Sequence, residues 1–124
     1  MEEAFRAAML ADSELAAIVG ARIDWGLRPD VLPSIRLQVV GKVPIYAYGG
    51  RVGLTPYRVQ VDCFGARYGE AKRVARAAEA AVGTLARPSW DACFIEAERD
   101  DQENDAAGKP VHRTSLDCRI WHQS

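Results

Sequence analysis

The N-terminal segment has the hydrophobic pattern of a helix with one break. Residues Glu2 to Val19 are rich in Ala and Leu and contain neither Pro nor Gly, which favours helix. Asp12 and Ser13 can accept backbone N–H groups, so we expect a new N-cap there and two short helices. Gly20 then supplies a left-handed stop. The predicted buried side chains are Phe5, Met9, Leu15, Ile18 and Val19.

Two later segments show the period-two alternation of half-buried strands. Pro29 and Pro33 mark a turn, after which apolar and polar residues alternate from Ile35 to Val39. The alternation is clearest from Tyr57 to Cys63. Its apolar face comprises Tyr57, Val59, Val61 and Cys63, and its polar face comprises Arg58, Gln60 and Asp62.

A second helix is predicted from Tyr68 to Leu85, because apolar residues recur there at spacings of three and four. Its apolar stripe consists of Ala71, Val74, Ala75, Ala78, Val82 and Leu85. Pro88 prevents much continuation. Two more strands follow, near Trp90 to Glu98 and near His112 to Trp121.

This order of elements indicates an α+β domain that spans residues 1–124. We expect a mainly antiparallel sheet of four to five strands, with two helical segments packed on one face. A length of 124 residues suits one domain of the usual size, roughly 100–200 residues.

Charge and cysteine content exclude several functions. The net charge is −1, whereas a protein that reads duplex DNA normally carries a basic excess. No apolar run approaches the ~20 residues that cross a bilayer, and the acidic start Met1-Glu2-Glu3 does not suit a signal peptide. The three cysteines form no CxxC pair, which favours free thiols pointing toward the core in a reducing compartment, with synthesis in the cytosol.

The connection from Gly41 to Leu54 is long, glycine-rich and unusually apolar. Loops of more than about 12 residues are uncommon unless they are functional or disordered. This one, the arm, carries the apolar and aromatic side chains Val43, Ile45, Tyr46 and Tyr48. Two interpretations stay open: the arm packs on a neighbouring subunit, or it folds onto its own domain as an Ω-loop.

The segment from Glu98 to Asp105 reads ERDDQEND and has a net charge of −4, so the rest of the chain carries +3. It is predicted as a solvated acidic loop, and a negative lining or partner contact is the second interpretation. The acidic residues assigned to a channel or tube-facing surface are Asp100, Asp101, Glu103 and Asp105. An EF-hand is excluded, because the sixth position of its loop is Ala106 and the twelfth is His112.

No catalytic, metal or cofactor site emerges from the remaining residues. Cys118 could pair with His112 or His122, and Cys63, Cys118 and His122 could bind zinc, but the thiols fall on the core face and the close ligand pairs are missing. The sequence GGRVGLT lacks the Lys of a phosphate loop. We therefore predict no catalytic residues and no cofactor.

Three side chains outside the arm are candidates for a subunit interface. Trp121 is predicted on the outer side of the sheet, opposite Leu116, Cys118 and Ile120. Arg73 and Arg76 belong to a basic stripe on the second helix. Such a stripe is either a solvated face or the source of intersubunit salt bridges.

Three stretches together resemble the small tail-completion or tail-terminator proteins of long-tailed bacteriophages and gene transfer agents. They are LADSELAAIVGARI (10–23), RVQVDCFG (58–65) with the alanine-rich helix after it, and RTSLDCRIWH (113–122). Their order and spacing match that family across nearly the whole chain.

The resemblance implies a structural virion protein and no enzyme. Such proteins form a ring, commonly a hexamer, at the head-proximal end of the tail. The ring stops polymerisation of the tail-tube protein and joins the tail to the head–tail connector or stopper. DNA passes through it without sequence-specific binding. The implied location is the virion or particle tail, assembled in the host cytoplasm without a membrane.

Other classes remain open at this point. The chain could be another neck or head–tail connector protein, a small cytosolic enzyme that uses Cys118 with His122, or a monomeric adaptor that binds a peptide at its sheet edge.

Overall fold

The computed structural model describes residues 1–42, 54–85 and 90–123. Within these ranges there are three helices and five strands. The helices are α1 (Glu2–Ala11), α2 (Ser13–Val19) and α3 (Tyr68–Gly83). The strands are β1 (Ile23–Trp25), β2 (Ser34–Lys42), β3 (Leu54–Gly65), β4 (Trp90–Asn104) and β5 (Pro110–Gln123).

The predicted break in the N-terminal helix is confirmed. Asp12 is the N-cap of α2, and its Oδ1 accepts the backbone N–H of Leu15 at 3.0 Å. Gly20 ends α2 with a φ of 57°, a conformation that L side chains rarely adopt. Four of the five predicted side chains are fully buried, and Ile18 is half-buried against the core.

The five strands form one sheet in the order β1-β2-β3-β5-β4. All neighbouring pairs are antiparallel except β1 and β2, which run parallel. The α+β class with a mainly antiparallel sheet is therefore confirmed. β1 and β4 are the edge strands, and β4 carries register shifts between Asp91 and Phe94 and between Ile95 and Ala97.

Helix α3 lies close to the sheet because small residues line its buried side. Ala71, Ala75 and Ala78 are buried there, as the sequence predicts. The approach is tightest at Gly65, the last residue of β3, where an added Cβ would lie 2.6 Å from the backbone nitrogen of Ala71. A side chain at this position would push the start of α3 off the strand.

The core lies between the three helices and one face of the sheet, which we call the helix face. The strands contribute side chains such as Ile35, Val61 and Leu116 to it, all fully buried. Cys63 and Cys118 also point into this core, and Cys93 packs against it. The alternate residues of the strands, including Arg36, Asp62 and Ser115, lie on the opposite face of the sheet.

The predicted acidic loop is wrong, because the structure continues β4 through it to Asn104. Glu98 to Asn104 pair with Leu116 to Pro110 of β5, and only Asp105 lies in the turn. Its Oδ1 accepts the backbone N–H groups of Ala107 and Lys109. Charge does not prevent strand formation here, because β4 is an edge strand and cations on neighbouring elements pair with it.

The arm side chains Val43, Ile45, Tyr46 and Tyr48 lie outside the described residues. The arm connects β2 to β3, whose backbones pair up to Lys42 and Tyr57. In the part of the chain that the structure describes, no helix is long and apolar enough to cross a membrane.

Candidate interaction surfaces

A cluster of ion pairs joins helix α3 to the edge strand β4 on the helix face. The Lys72 Nζ lies 2.7 Å from both Glu98 Oε2 and Asp100 Oδ1. Arg76 donates to Glu98 and to Glu79. Hydrogen bonds from Lys72, and at Glu98 also from Arg76, lower the pKa of the Glu98 and Asp100 carboxyls. Both stay ionised and hold the strand to the helix.

The opposite face has a buried carboxylate at its centre. Asp62 is 0% exposed, and its Oδ2 accepts from the Arg36 guanidinium at 2.8 Å. Its Oδ1 accepts from Gln60 at 2.7 Å and from Ser115 at 2.6 Å. The register places Arg36, Asp62 and Ser115 side by side on three neighbouring strands, so the contact is built by strand pairing.

Further ion pairs cross from β4 to β5 on this opposite face. Arg99 donates two hydrogen bonds to Asp117, at 2.9 and 3.2 Å. Arg113 reaches Asp101 at 2.7 Å, and Arg119 reaches Glu96 at 2.6 Å. The charges of this face are therefore largely compensated within the chain.

Residues 26–33, which we call the strap, return the chain from β1 to β2 over the opposite face. The Arg28 guanidinium lies 5.5 Å from the ring centre of Phe64, and Arg36 lies at 5.3 Å from it. Phe64 is fully buried under these cations. The strap also leaves two apolar side chains in solvent, because Leu27 is 80% and Val31 is 61% exposed.

Several apolar side chains are exposed or half-buried on the opposite face, at the end of the sheet where the arm leaves it. Val40 is 54% and Phe94 is 47% exposed, and Trp121 is half-buried. The register places Gly41, Arg58, Arg119 and Phe94 in one row across the sheet, so two arginines separate Val40 from Phe94. Arg58 makes no ion pair within the described residues. We call this surface the arm-end patch.

The structure separates some of the residues that the sequence groups together. Asp100 faces α3, whereas Asp101 contacts Arg113 on the opposite face, where Glu103 lies 4.0 Å from the same guanidinium. The four acidic residues therefore occupy two faces and a turn. On α3, Arg76 is held by Glu79 and Glu98, while Arg73 forms no ion pair in the described part of the chain.

The contacts of Cys118 and His122 do not pair the two side chains. Burial raises the pKa of Cys63 and raises that of Cys118 to about 12. The Cys118 Sγ donates to the Leu116 carbonyl, and the His122 ring lies 4.4 Å from that of Trp90. Burial lowers the pKa of His122. Among the described residues no cluster of His, Cys, Asp or Glu could hold a metal ion.

Sequence reasoning missed the exposed apolar residues Leu27, Val31, Val40 and Phe94. Regular alternation along β4 would have predicted which face Phe94 lies on. The register shifts in β4 interrupt that alternation, so the sequence does not show that Phe94 lies beside Arg119. Nothing in the sequence of the strap indicates that its apolar side chains stay in solvent while Arg28 turns inward.

Comparison with known proteins gives a family and a fold. The family model described as tail completion protein gp17 matches residues 3–123. A chain in the structure "Virion of native gene transfer agent (GTA) particle" superposes with a TM-score of 0.61 and 19% identity, covering 95% of this chain and 90% of that one. Curated protein sequences give no match.

Proposed function

Because the chain belongs to the tail completion protein gp17 family, we propose that it forms a ring at the head-proximal end of the tail. The chain is a structural protein of a virion tail and not an enzyme. In the proposed role, residues 1–124 form one domain, and several copies of the chain, commonly six, make up the ring. The ring ends polymerisation of the tube protein and joins the tail to the connector or stopper.

The observation that supports a ring best is the arm-end patch. Val40, Phe94 and Trp121 leave apolar surface around Arg58 and Arg119 on the opposite face, at the end of the sheet from which an apolar arm leaves. Exposed apolar surface of this kind marks protein contacts. If the arm of one copy covers the patch of the next, two different surfaces meet, which is the contact that closes a ring by rotation.

Acidic residues on the opposite face suit a surface that DNA passes. We assign Asp101, Glu103 and Asp105 to the channel or tube-facing side. Asp100 lies on the helix face, paired with Lys72, and so does not belong to that side. Each phosphate that a protein neutralises adds affinity, so a conducting channel should not present free cations. The pairing of Arg113 with Asp101 is consistent with this requirement at the acidic end of the face, whereas Arg58, unpaired among the described residues, lies at the arm end.

The presence of the fold in a gene transfer agent virion supports assembly with other virion proteins. The proposed partners are further copies of this chain, the tail-tube protein and the connector. We also propose that the particle is assembled in the host cytoplasm and that DNA passes through the ring without sequence-specific binding.

The test is to image particles assembled with and without this protein. Termination predicts tails of uncontrolled length in its absence, because nothing stops addition of tube subunits. Tails of normal length that fail to attach to heads would contradict termination and favour a connector of the neck. Particles that are normal without the protein would overturn both roles.

A further inference from the structure

A groove lies between α2 and α3 on the helix side of the molecule. Its volume is about 360 Å³. Apolar or small residues form its floor, and charged side chains lie at its rim. The lining residues are Glu14, Ile18, Gly69, Lys72, Arg73, Arg76 and Ala77.

One cation at this rim is uncompensated. Lys72 and Arg76 are already bound to carboxylates of β4 and α3. Arg73 makes no ion pair or side-chain hydrogen bond within the described ranges 1–42, 54–85 and 90–123. The α3 wall of the groove therefore offers one free guanidinium beside an apolar floor, while Glu14 stands on the α2 wall.

The strap carries the complementary groups. Leu27 and Val31 are the two most exposed large apolar side chains of the described residues, at 80% and 61%. Asp30 between them is exposed and has no ion pair in the described part of the molecule. Arg28 is turned toward Phe64 and Glu103, so its charge is used within the chain.

We propose that the strap of one copy binds in the α2–α3 groove of the next copy. Asp30 pairs with Arg73, and Leu27 and Val31 cover the floor formed by Ile18 and Ala77. The inference rests on the proposed ring, and it names a second contact besides the arm-end patch. Strap and groove lie on opposite sides of the sheet, so the contact is heterologous, as a ring requires.

Charge favours the strap over the other apolar segments as the occupant of the α2–α3 groove. The arm contains Arg51 and no carboxylate, so it offers Arg73 no partner. Tyr68 already donates to Asp100, and Phe94 and Val40 lie beside Arg119 and Arg58. Within the described residues, the strap alone joins several exposed apolar side chains to an unpaired carboxylate.

The experiment exchanges the two charges. Asp30→Arg and Arg73→Asp are made singly and together, and the copies bound to purified tails are counted as a function of protein concentration. Each single variant should raise the concentration needed for assembly by about tenfold or more, because it places like charges in contact. The double variant should recover assembly close to that of the parent chain.

Matched controls separate this contact from a general charge effect. Glu3→Arg and Lys109→Asp make the same changes at exposed positions, and both should assemble normally. Leu27→Ala should weaken assembly without lowering the thermal unfolding midpoint, since the side chain is in solvent in the single chain.

Three results would overturn the inference. If both single variants assemble like the parent chain, the contact does not exist, although the ring could still form. If Arg73→Asp releases only another tail protein and the double variant does not recover, that protein occupies the groove. If the unaltered protein forms no ring on tails, the proposed function fails together with the inference.

Discussion

At the scale of single residues, Asp62 is the one charged side chain that is fully buried among the described residues. The carboxylate is fully buried, and four hydrogen-bonding contacts from three side chains, with two from Arg36, surround its oxygens. A buried charge is tolerated only when it is paired and hydrogen-bonded. The sequence places Asp62 on the polar face of its strand. It does not identify Arg36 as the partner.

Replacing Asp62 with Ala should lower the free energy of unfolding by about 3 kcal/mol or more, because Arg36 loses its counter-charge in a largely buried site. Chemical denaturation measures this change. Asp117→Ala is the control, because it breaks the more exposed pair with Arg99 and should cost about 1 kcal/mol or less. Equal losses in the two variants would contradict the special environment of Asp62.

At the scale of elements, helix α3 and strand β4 depend on each other. The strand carries four carboxylates between Glu98 and Asn104, and the helix supplies Lys72 and Arg76 to two of them. This explains how a segment of such charge extends a strand where the sequence favours a loop. Helix periodicity predicts α3 well, but the contact with β4 depends on the sheet order, which the sequence does not determine.

The ion pairs between α3 and β4 predict that the stability of the fold depends on pH. The pKa values of Glu98 and Asp100 are lowered in the fold, so their contribution is present above their ordinary pKa values and is lost as the pH falls through the lowered ones. Glu98→Gln should lower the free energy of unfolding by about 1 kcal/mol at neutral pH. The difference from the parent chain should shrink as the pH falls below the ordinary value of 4.5.

Denaturation curves recorded across this pH range test the prediction. Glu79→Gln is the control, because Glu79 reaches only Arg76 and its loss leaves Lys72 paired. A destabilisation by Glu98→Gln that stays constant into acid would show that its origin is packing and not charge.

At the scale of the whole molecule, the two faces of the sheet have different tasks. The helix face buries the core, whereas the opposite face holds paired charges, the strap and the arm-end patch. An apolar patch at the base of an apolar arm is surface that a single chain leaves partly in water. In the proposed ring, a neighbouring copy covers this surface.

Replacing Ile45, Tyr46 and Tyr48 of the arm with Ser tests this view. We expect ring assembly on tails to be lost while the thermal unfolding midpoint of the free chain stays unchanged, because in the proposed ring the arm contacts a neighbour. Calorimetry and electron microscopy of tails measure the two quantities. An unfolding free energy lowered by about 2 kcal/mol or more, with assembly intact, would instead place the arm on its own domain.

The sequence by itself determined the helices and the central strands, because periodicity and capping are local properties of the chain. The order and spacing of three stretches indicated the family. Tertiary structure decided which charges meet. Lys72 and Glu98 are 26 residues apart, and Ser115 and Asp62 are 53 apart, so only sheet order and register bring them together. It also decided which apolar residues remain in solvent, since exposure depends on what the rest of the fold covers. For that reason the strap and the arm-end patch emerged only from the folded molecule.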